Sequence, residues 1–270
     1  MLNTDLKSII EAKSPGFFQR RPRFLFTAIL RMLERIVHID ELQDFFATHG
    51  EKTNWQFIEA VFDYLDFSYS VHEKDGQTIP EQGRLICVAN HATGPLDGLV
   101  LLHLLGKVRQ DVKIVLTDIL SDLDQLHDLF LLYDQYSSQL QKQNILAIRQ
   151  ALLAEQAVIF FPAGEVTKLS RHGLREHTWQ AGPVTLARKY NAPILSVRLH
   201  ARNSLFYYLA ARLHHHFSTL LLSHEMFRQR SRRVPVTIGA LLPAEHFKVS
   251  QSEIPALVEA LKDSVHRLEK

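Results

Sequence analysis

Residues 84–98 read RLICVANHATGPLDG, and they decide the fold prediction. The apolar run 84–89 has the length and composition of a strand buried on both faces. Gly94 permits a tight turn, and Pro95 suits the first position of a following helix. We therefore predict a strand, a loop and a helix, the unit from which open α/β sheets are built. His91 then leaves the carboxyl end of the strand, where such sheets place their chemistry.

The rest of the chain continues this alternation of strands and helices. Further strands are predicted at 67–71, 112–116, 129–133, 158–161, 192–199 and 234–241. Further helices are predicted at 140–155 and 182–190, and a helical stretch is predicted at 205–226. A last helix opens at Ser250, where Glu253 three residues later completes a capping box. The pattern predicts an α/β fold with a central mixed, largely parallel sheet flanked by helices.

The N-terminal part of the chain is predicted to be helical from 15 to 65. Within it, residues 17–37 are amphipathic and carry five arginines against one glutamate, a local charge of +4. Such a helix can lie on an anionic membrane surface, or it can pack on the protein's own core with a solvated basic face. We interpret 1–65 as an N-terminal helical, membrane-contacting region and 66–270 as an α/β domain.

Composition excludes several classes of protein. With 46% hydrophobic and 22% charged residues, the chain of 270 residues is too apolar for a disordered protein. A net charge of +2 is too small for a protein that coats nucleic acid, so no nucleic-acid partner is expected. The single Cys87 favours a reducing cytoplasm and is predicted to pack in the buried strand rather than to act as a nucleophile. The fifteen histidines show no zinc-like spacing, so no metal site is predicted.

Membrane-spanning and secretory segments are not expected. The start of the chain lacks the basic and apolar blocks of a secretory signal. No stretch reaches the roughly 18 uninterrupted apolar residues that cross a bilayer. We therefore expect a cytoplasmic protein, with any membrane contact peripheral.

The strongest candidate for catalysis is the pair His91 and Asp97. Asp97 falls in the first turn of the predicted helix, close enough to fold back towards the imidazole ring. A carboxylate on one imidazole nitrogen fixes the tautomer and leaves the other nitrogen as a general base. Alternatively, His91 caps a loop and Asp97 complements the helix dipole. The combination of strand, Gly-Pro turn and helical aspartate favours the catalytic interpretation.

Two motifs resemble those of the glycerolipid acyltransferases, the family of 1-acylglycerol-3-phosphate acyltransferase. Asn90 and His91, followed by Asp97, resemble its first motif, although five residues rather than four separate His91 from Asp97. That spacing is similar to a bacterial branch labelled hemolysin or ornithine-lipid acyltransferase, in which proline stands at the position of Ala92. The sequence FPAGEV at 161–166 is similar to the family's Phe-Pro-Glu-Gly block.

Weaker similarities extend the resemblance to roughly residues 30–245. The stretches 179–182 and 192–197 are similar to the fourth block of the family, and 202–204 is similar to the bacterial branch. An acyltransferase domain over 66–270 is what this resemblance implies. The chain has no Gly-x-Ser-x-Gly elbow, so it offers no serine nucleophile of the lipase type.

The resemblance implies acyl transfer from a thioester of acyl carrier protein or coenzyme A to the hydroxyl of a lysolipid, with no further cofactor. His91 would be the base and Asp97 would orient it. A separate N-acyltransferase would be a possible partner, and the enzyme would sit on the inner face of the cell membrane. Residues expected to bind substrate are Asn90, Gly94, Phe161, Pro162, Gly164, Glu165, Lys168 and Arg171.

The second motif predicts an acceptor other than lysophosphatidic acid. Val166 stands where phosphate-accepting relatives have arginine, Ala163 replaces their glutamate, and Gln135 after Asp134 replaces a second arginine. Guanidinium groups are the preferred bidentate ligands for phosphate. A lyso-amino-acid lipid such as lyso-ornithine lipid therefore fits better, with Glu165 either facing its headgroup or holding the loop. The rival interpretations are a lysophosphatidic acid or lysophospholipid acyltransferase of phospholipid synthesis, and a non-catalytic lipid-binding relative.

Basic residues after the second motif have several possible roles. Lys168, Arg171 and Arg175 replace the missing arginines, bind the phosphate of a pantetheine carrier, or form a solvated loop. The aromatic and leucine-rich stretch 205–226, which leads into arginines at 228–233, is predicted to be a second membrane-contacting segment.

Overall fold

The computed structural model of the protein describes residues 23–73, 76, 78–116, 123–132, 138–171, 173–213 and 215–269. Its helices are α1 (Arg23–Val37), α2 (Ile39–His49), α3 (Asn54–Tyr64), α4 (Pro95–Gly106), α5 (Ser138–Leu153), α6 (Gly182–Tyr190), α7 (Leu205–Leu213), α8 (His215–Phe227) and α9 (Ile254–His266). Its strands are β1 (Ser68–Glu73), β2 (Leu85–Ala89), β3 (Val112–Leu116), β4 (Phe130–Leu132), β5 (Ala157–Phe160), β6 (Lys168–Ser170), β7 (Gly173–Arg175), β8 (Ile194–Leu199) and β9 (Arg233–Leu242). Residues 17–22 of the amphipathic segment, Asp134, Gln135 and His214 lie outside the described part of the chain.

Seven strands form one sheet in the order β1-β9-β8-β2-β5-β3-β4. Neighbouring strands are parallel except β8 and β9, which are antiparallel. The predicted α/β fold with a mixed, largely parallel sheet is therefore confirmed. β2 lies between β5 and β8, with Val88 paired with Phe160 and Ala89 paired with Val197. Its carboxyl end consequently opens between two strands that run in the same direction.

The composition of β2 explains its central position. All five of its residues are buried, and alternate side chains enter two different cores. Leu85 and Cys87 pack with helices α2, α3 and α4, whereas Ile86 and Val88 pack with α5, α6 and α9. A strand that buries both faces needs an unbroken apolar run, which is what residues 85–89 supply.

Helices α2 and α3 share a core with the sheet. Phe45, Phe57 and Leu65 belong to the same buried cluster as Leu85 and Cys87. The core is therefore continuous across residue 65, and the division into a region 1–65 and a domain 66–270 stays a prediction. Among the helices of the described residues, none combines the length and apolar character that crossing a membrane requires.

The stretch 205–226 is helical at 205–213 and 215–226, as its sequence predicts. It forms α7 and α8, which pack against each other. Tyr207 and Tyr208 of α7 share a buried cluster with Leu221 of α8. In one straight helix Tyr207 and Leu221 would stand about 21 Å apart along the axis, so only a reversal of the chain brings them together.

Two smaller features complete the fold. Ser250 and Glu253 form the predicted capping box, on a short 3₁₀ turn that leads into α9. Strands β6 and β7 pair as an antiparallel hairpin directly after the second motif, a feature that the sequence analysis did not predict.

Candidate active site

Asn90 fixes the end of β2. Its side-chain Nδ2 donates to the carbonyl oxygen of Leu199 (3.0 Å), and the Leu199 N–H donates to Oδ1 (2.8 Å). Both halves of the buried amide therefore bind the backbone of the neighbouring strand β8. These contacts position the start of the His91 loop; a role for Asn90 in binding substrate stays a prediction.

The structure brings His91 and Asp97 together. His91 Nδ1 lies 2.9 Å from Asp97 Oδ2. The Asp97 side chain is only 2% exposed and also accepts hydrogen bonds from Thr93 N–H (2.7 Å), Thr93 Oγ1–H (2.6 Å) and Gly94 N–H (2.9 Å). Four donors compensate this carboxylate for its lost hydration. Because Asp97 can only accept, the imidazole donates from Nδ1, and Nε2 carries the lone pair.

Local sequence explains how Asp97 reaches His91. Pro95 is the first residue of α4, and Asp97 is the third, where its side chain caps the helix start. Gly94 adopts φ 115°, a backbone conformation that side chains disfavour. A Cβ atom at Gly94 would also lie 2.8 Å from Leu222 of α8, so this helix lies directly over the turn.

Phe161 of the second motif supports the ring of His91. The two rings stack with centroids 4.2 Å apart and an angle of 14° between their planes. The fold thus brings the second motif into contact with His91. The His91 side chain is 19% exposed, and Nε2 makes no hydrogen bond with the residues that the structure describes. A partly exposed imidazole nitrogen with a free lone pair can accept a proton from a ligand.

Thr167, the residue after the second motif, holds the main chain of the His91 loop. The N–H and the Oγ1–H of Thr167 both donate to the His91 carbonyl oxygen, at 2.9 and 3.0 Å. The carbonyl of Pro162 accepts from Gln180 N–H (2.8 Å). Gly164 has φ 69°, and its N–H donates to Phe161 O (2.9 Å). The Gly164 N–H is thus used within the turn, and a role for Gly164 in binding substrate stays a prediction.

The charged residues predicted to bind substrate have different surroundings. Glu165 forms an ion pair with Lys168. Of the two roles considered for Glu165, this contact fits the one in which it holds the loop. Arg171 and Arg175 are exposed on the β6–β7 hairpin. Their roles towards an acceptor or a carrier stay predictions.

Ala163 and Val166 stand where the resemblance places the family's glutamate and arginine in the second motif, and both side chains are buried and uncharged. Ala163 is 3% exposed and Val166 is 8% exposed. Val166 packs against Tyr207, Tyr208 and Leu221. Apolar packing thus surrounds both positions.

Glu176 is a residue of the site that the sequence analysis missed. Its side chain is 2% exposed, and Oε1 accepts a hydrogen bond from the His91 N–H (2.6 Å). Oε2 accepts from Trp179 Nε1–H (2.9 Å) and pairs with His266 Nε2 (3.1 Å). The only local signal was a glutamate three residues before a tryptophan, which is too weak to single it out.

Two further groups have pKa values set by burial. Burial raises the pKa of the Cys87 thiol to about 12, which keeps it protonated and unreactive at neutral pH. Burial also raises the pKa of Tyr207, and the nearby charges of Glu225, Glu165 and Asp97 act in the same direction. Tyr207 is therefore a neutral phenol at neutral pH.

Comparison with known proteins finds similarity to acyltransferases over most of the chain. A family model described as acyltransferase matches residues 9–264. A lyso-glycine lipid O-acyltransferase from Phocaeicola vulgatus is 26% identical over 272 residues, covering 98% of this chain and 94% of that protein. A second one, from Bacteroides thetaiotaomicron, is 27% identical, with 98% and 97% covered. The crystal structure of the 1-acyl-sn-glycerophosphate (LPA) acyltransferase PlsC from Thermotoga maritima matches with a TM-score of 0.48 and 14% identity, over 98% of this chain and 90% of that one.

Proposed function

Because the chain belongs to the acyltransferase family, we propose that it moves a fatty acyl chain from a thioester to the hydroxyl of a lysolipid. Membership confirms the family resemblance inferred from the two motifs and identifies the chain as an acyltransferase enzyme. The observation that carries the proposal is the His91–Asp97 pair, with Nε2 of His91 free at the end of a buried strand.

In the proposed reaction His91 acts as general base. Its Nε2 takes the proton of the acceptor hydroxyl while the oxygen forms a bond to the thioester carbonyl carbon. The C–S bond then breaks, and the proton passes from the imidazolium to the leaving thiolate. Asp97 keeps Nδ1 protonated and stabilises the imidazolium, as a buried carboxylate does in other histidine-based catalysts. No acyl-enzyme forms in this scheme.

We propose a lyso-amino-acid lipid as the acceptor. Both curated relatives are named as lyso-glycine lipid O-acyltransferases, and glycine and ornithine lipids belong to the same chemical class. The buried, uncharged Ala163 and Val166 support this choice, because they offer no fork for a phosphate headgroup. A lysophosphatidic acid acceptor is the alternative. A separate N-acyltransferase would supply the lysolipid, and acyl carrier protein or coenzyme A would deliver the chain without another cofactor.

We also propose that α7 meets the inner face of the cell membrane together with the basic segment that includes α1. Leu205, Phe206 and Leu209 are 66%, 54% and 51% exposed, and Tyr207 and Tyr208 of the same helix are buried beside the site. Helix α7 contains no acidic residue, and Arg212 lies in its last turn. An apolar face with basic neighbours suits the boundary of an anionic bilayer.

The proposal is tested with the purified protein and a panel of acceptors. Lyso-glycine lipid, lyso-ornithine lipid and lysophosphatidic acid are offered in vesicles with acyl-coenzyme A or acyl carrier protein thioester as donor. We expect transfer to at least one lyso-amino-acid lipid and its loss in His91→Ala. Preference for lysophosphatidic acid would overturn the acceptor assignment. Transfer to no lysolipid, or full activity of His91→Ala, would overturn the proposed reaction.

A further inference from the structure

Glu176 contacts the candidate base from outside both sequence motifs. It follows the β6–β7 hairpin, and its Oε1 accepts the His91 N–H at 2.6 Å. Thr167 binds the carbonyl of the same residue, and Asp97 binds its Nδ1. The main chain of His91 is therefore held on its N–H side by one buried carboxylate.

The other oxygen of Glu176 leads to the C-terminal helix. Oε2 lies 3.1 Å from Nε2 of His266, the last residue of α9, and it also accepts from Trp179. Helix α9 is anchored through Val258, Leu261 and Val265, which are buried in the core beneath the sheet. The His91 loop is thus connected to an element that lies far away in sequence.

The buried carboxyl group of Glu176 is held in its ionised form. Burial acts to raise the pKa of its carboxyl, but hydrogen bonds from His266, Trp179 and the His91 N–H outweigh burial and lower it overall. A buried carboxylate is costly unless its hydrogen bonds are made, and here three donors meet its two oxygens. A glutamine cannot accept hydrogen bonds from all three donors, because its NH₂ group takes the place of one carboxylate oxygen and cannot accept.

We propose that Glu176 is a positioning residue of the acyl transfer, fixing the main chain of His91 so that Nε2 meets the acceptor hydroxyl. This inference rests on the proposed function, in which His91 is the base. Glu176 itself touches the backbone and not the reacting atoms. Its replacement should therefore slow the chemical step without weakening acceptor binding.

The test compares Glu176→Gln with Glu259→Gln, the same exchange at an exposed position of α9. For Glu176→Gln we expect kcat to fall about 10- to 100-fold, since small misplacements of a catalytic group have effects of that size. We expect KM for the acceptor to stay within about twofold. Glu259→Gln should match the parent enzyme. His266→Ala, which removes one donor and keeps the carboxylate, should show a smaller fall in kcat.

A second readout does not depend on the acceptor. The rate at which diethyl pyrocarbonate modifies His91 is followed by mass spectrometry at pH 6. We expect faster modification in Glu176→Gln, because the loss of the contact to the His91 N–H loosens the loop and exposes Nε2. An unchanged modification rate, or a rise in KM that accounts for the loss of kcat/KM, would overturn the positioning role. Modification is measurable even in a protein that transfers no acyl chain, so failure of the proposed function is seen separately.

Discussion

Replacing Asp97 by asparagine separates the charge of this residue from its geometry. Oδ2 accepts three hydrogen bonds, from His91 Nδ1, Thr93 N and Gly94 N, whereas among the described residues Oδ1 accepts only from the Thr93 hydroxyl. An asparagine oxygen in the place of Oδ2 preserves the first three contacts. Its NH₂ group then donates to the Thr93 hydroxyl, which can also accept. The variant should fold with the same imidazole tautomer and lack only the negative charge.

The expected loss follows from that charge. At an effective dielectric constant of about 20, unit charges about 4 Å apart attract by about 4 kcal/mol, which corresponds to a rate change of about 10³-fold. We therefore expect kcat of Asp97→Asn to fall by about three orders of magnitude, measured as transfer of a radiolabelled acyl chain to lysolipid vesicles. Asp263→Asn, the same exchange at a side chain that is 61% exposed, serves as control. A kcat within tenfold of the parent, with an unchanged circular dichroism spectrum and melting temperature, would refute the electrostatic role.

Three further predictions concern stability and membrane binding. Gly94→Ala places a methyl group 2.8 Å from the Leu222 side chain, at a backbone φ of 115° that side chains disfavour. We therefore expect the free energy of unfolding to fall by about 1–3 kcal/mol in urea titrations. An unchanged midpoint would contradict the close packing of α8 on the turn. Burial acts to raise the pKa of Glu176, but three hydrogen bonds outweigh burial and lower the pKa in the folded protein below the ordinary value of 4.5. The ionised carboxylate therefore stabilises the fold above pH 4.5, and this stabilisation is lost as the pH falls through the pKa of the folded state. Glu176→Gln should therefore be more destabilised relative to the parent at pH 6 than at pH 3.5, and an equal difference at both values would argue against an ionised carboxylate. Joint replacement of Phe206 and Leu209 by serine should weaken sedimentation with anionic vesicles and leave the melting temperature unchanged, because both side chains are more than half exposed; undiminished binding would exclude α7 as the docking surface.

Local sequence predicted the central unit of the site well. The strand before Asn90, the turn at Gly94 and the helix that opens at Pro95 depend on residues within one short stretch, so their propensities and spacing are sufficient. The distance between His91 and Asp97 is set within the same stretch. The stretch 205–226 is helical as predicted, but its local sequence did not show that α7 and α8 pack against each other.

By itself, the sequence predicted the α/β class, the proximity of His91 and Asp97, and the resemblance to the acyltransferase family, because each prediction rests on short stretches of neighbouring residues. Only the tertiary structure decided what surrounds the pair. Phe161 stacks on the imidazole across 70 positions of sequence, and Glu176 holds the His91 N–H across 85. Such contacts depend on which strands become neighbours in the sheet and on where the C-terminal helix packs. No local pattern encodes that choice, because it is made by the burial of the whole core.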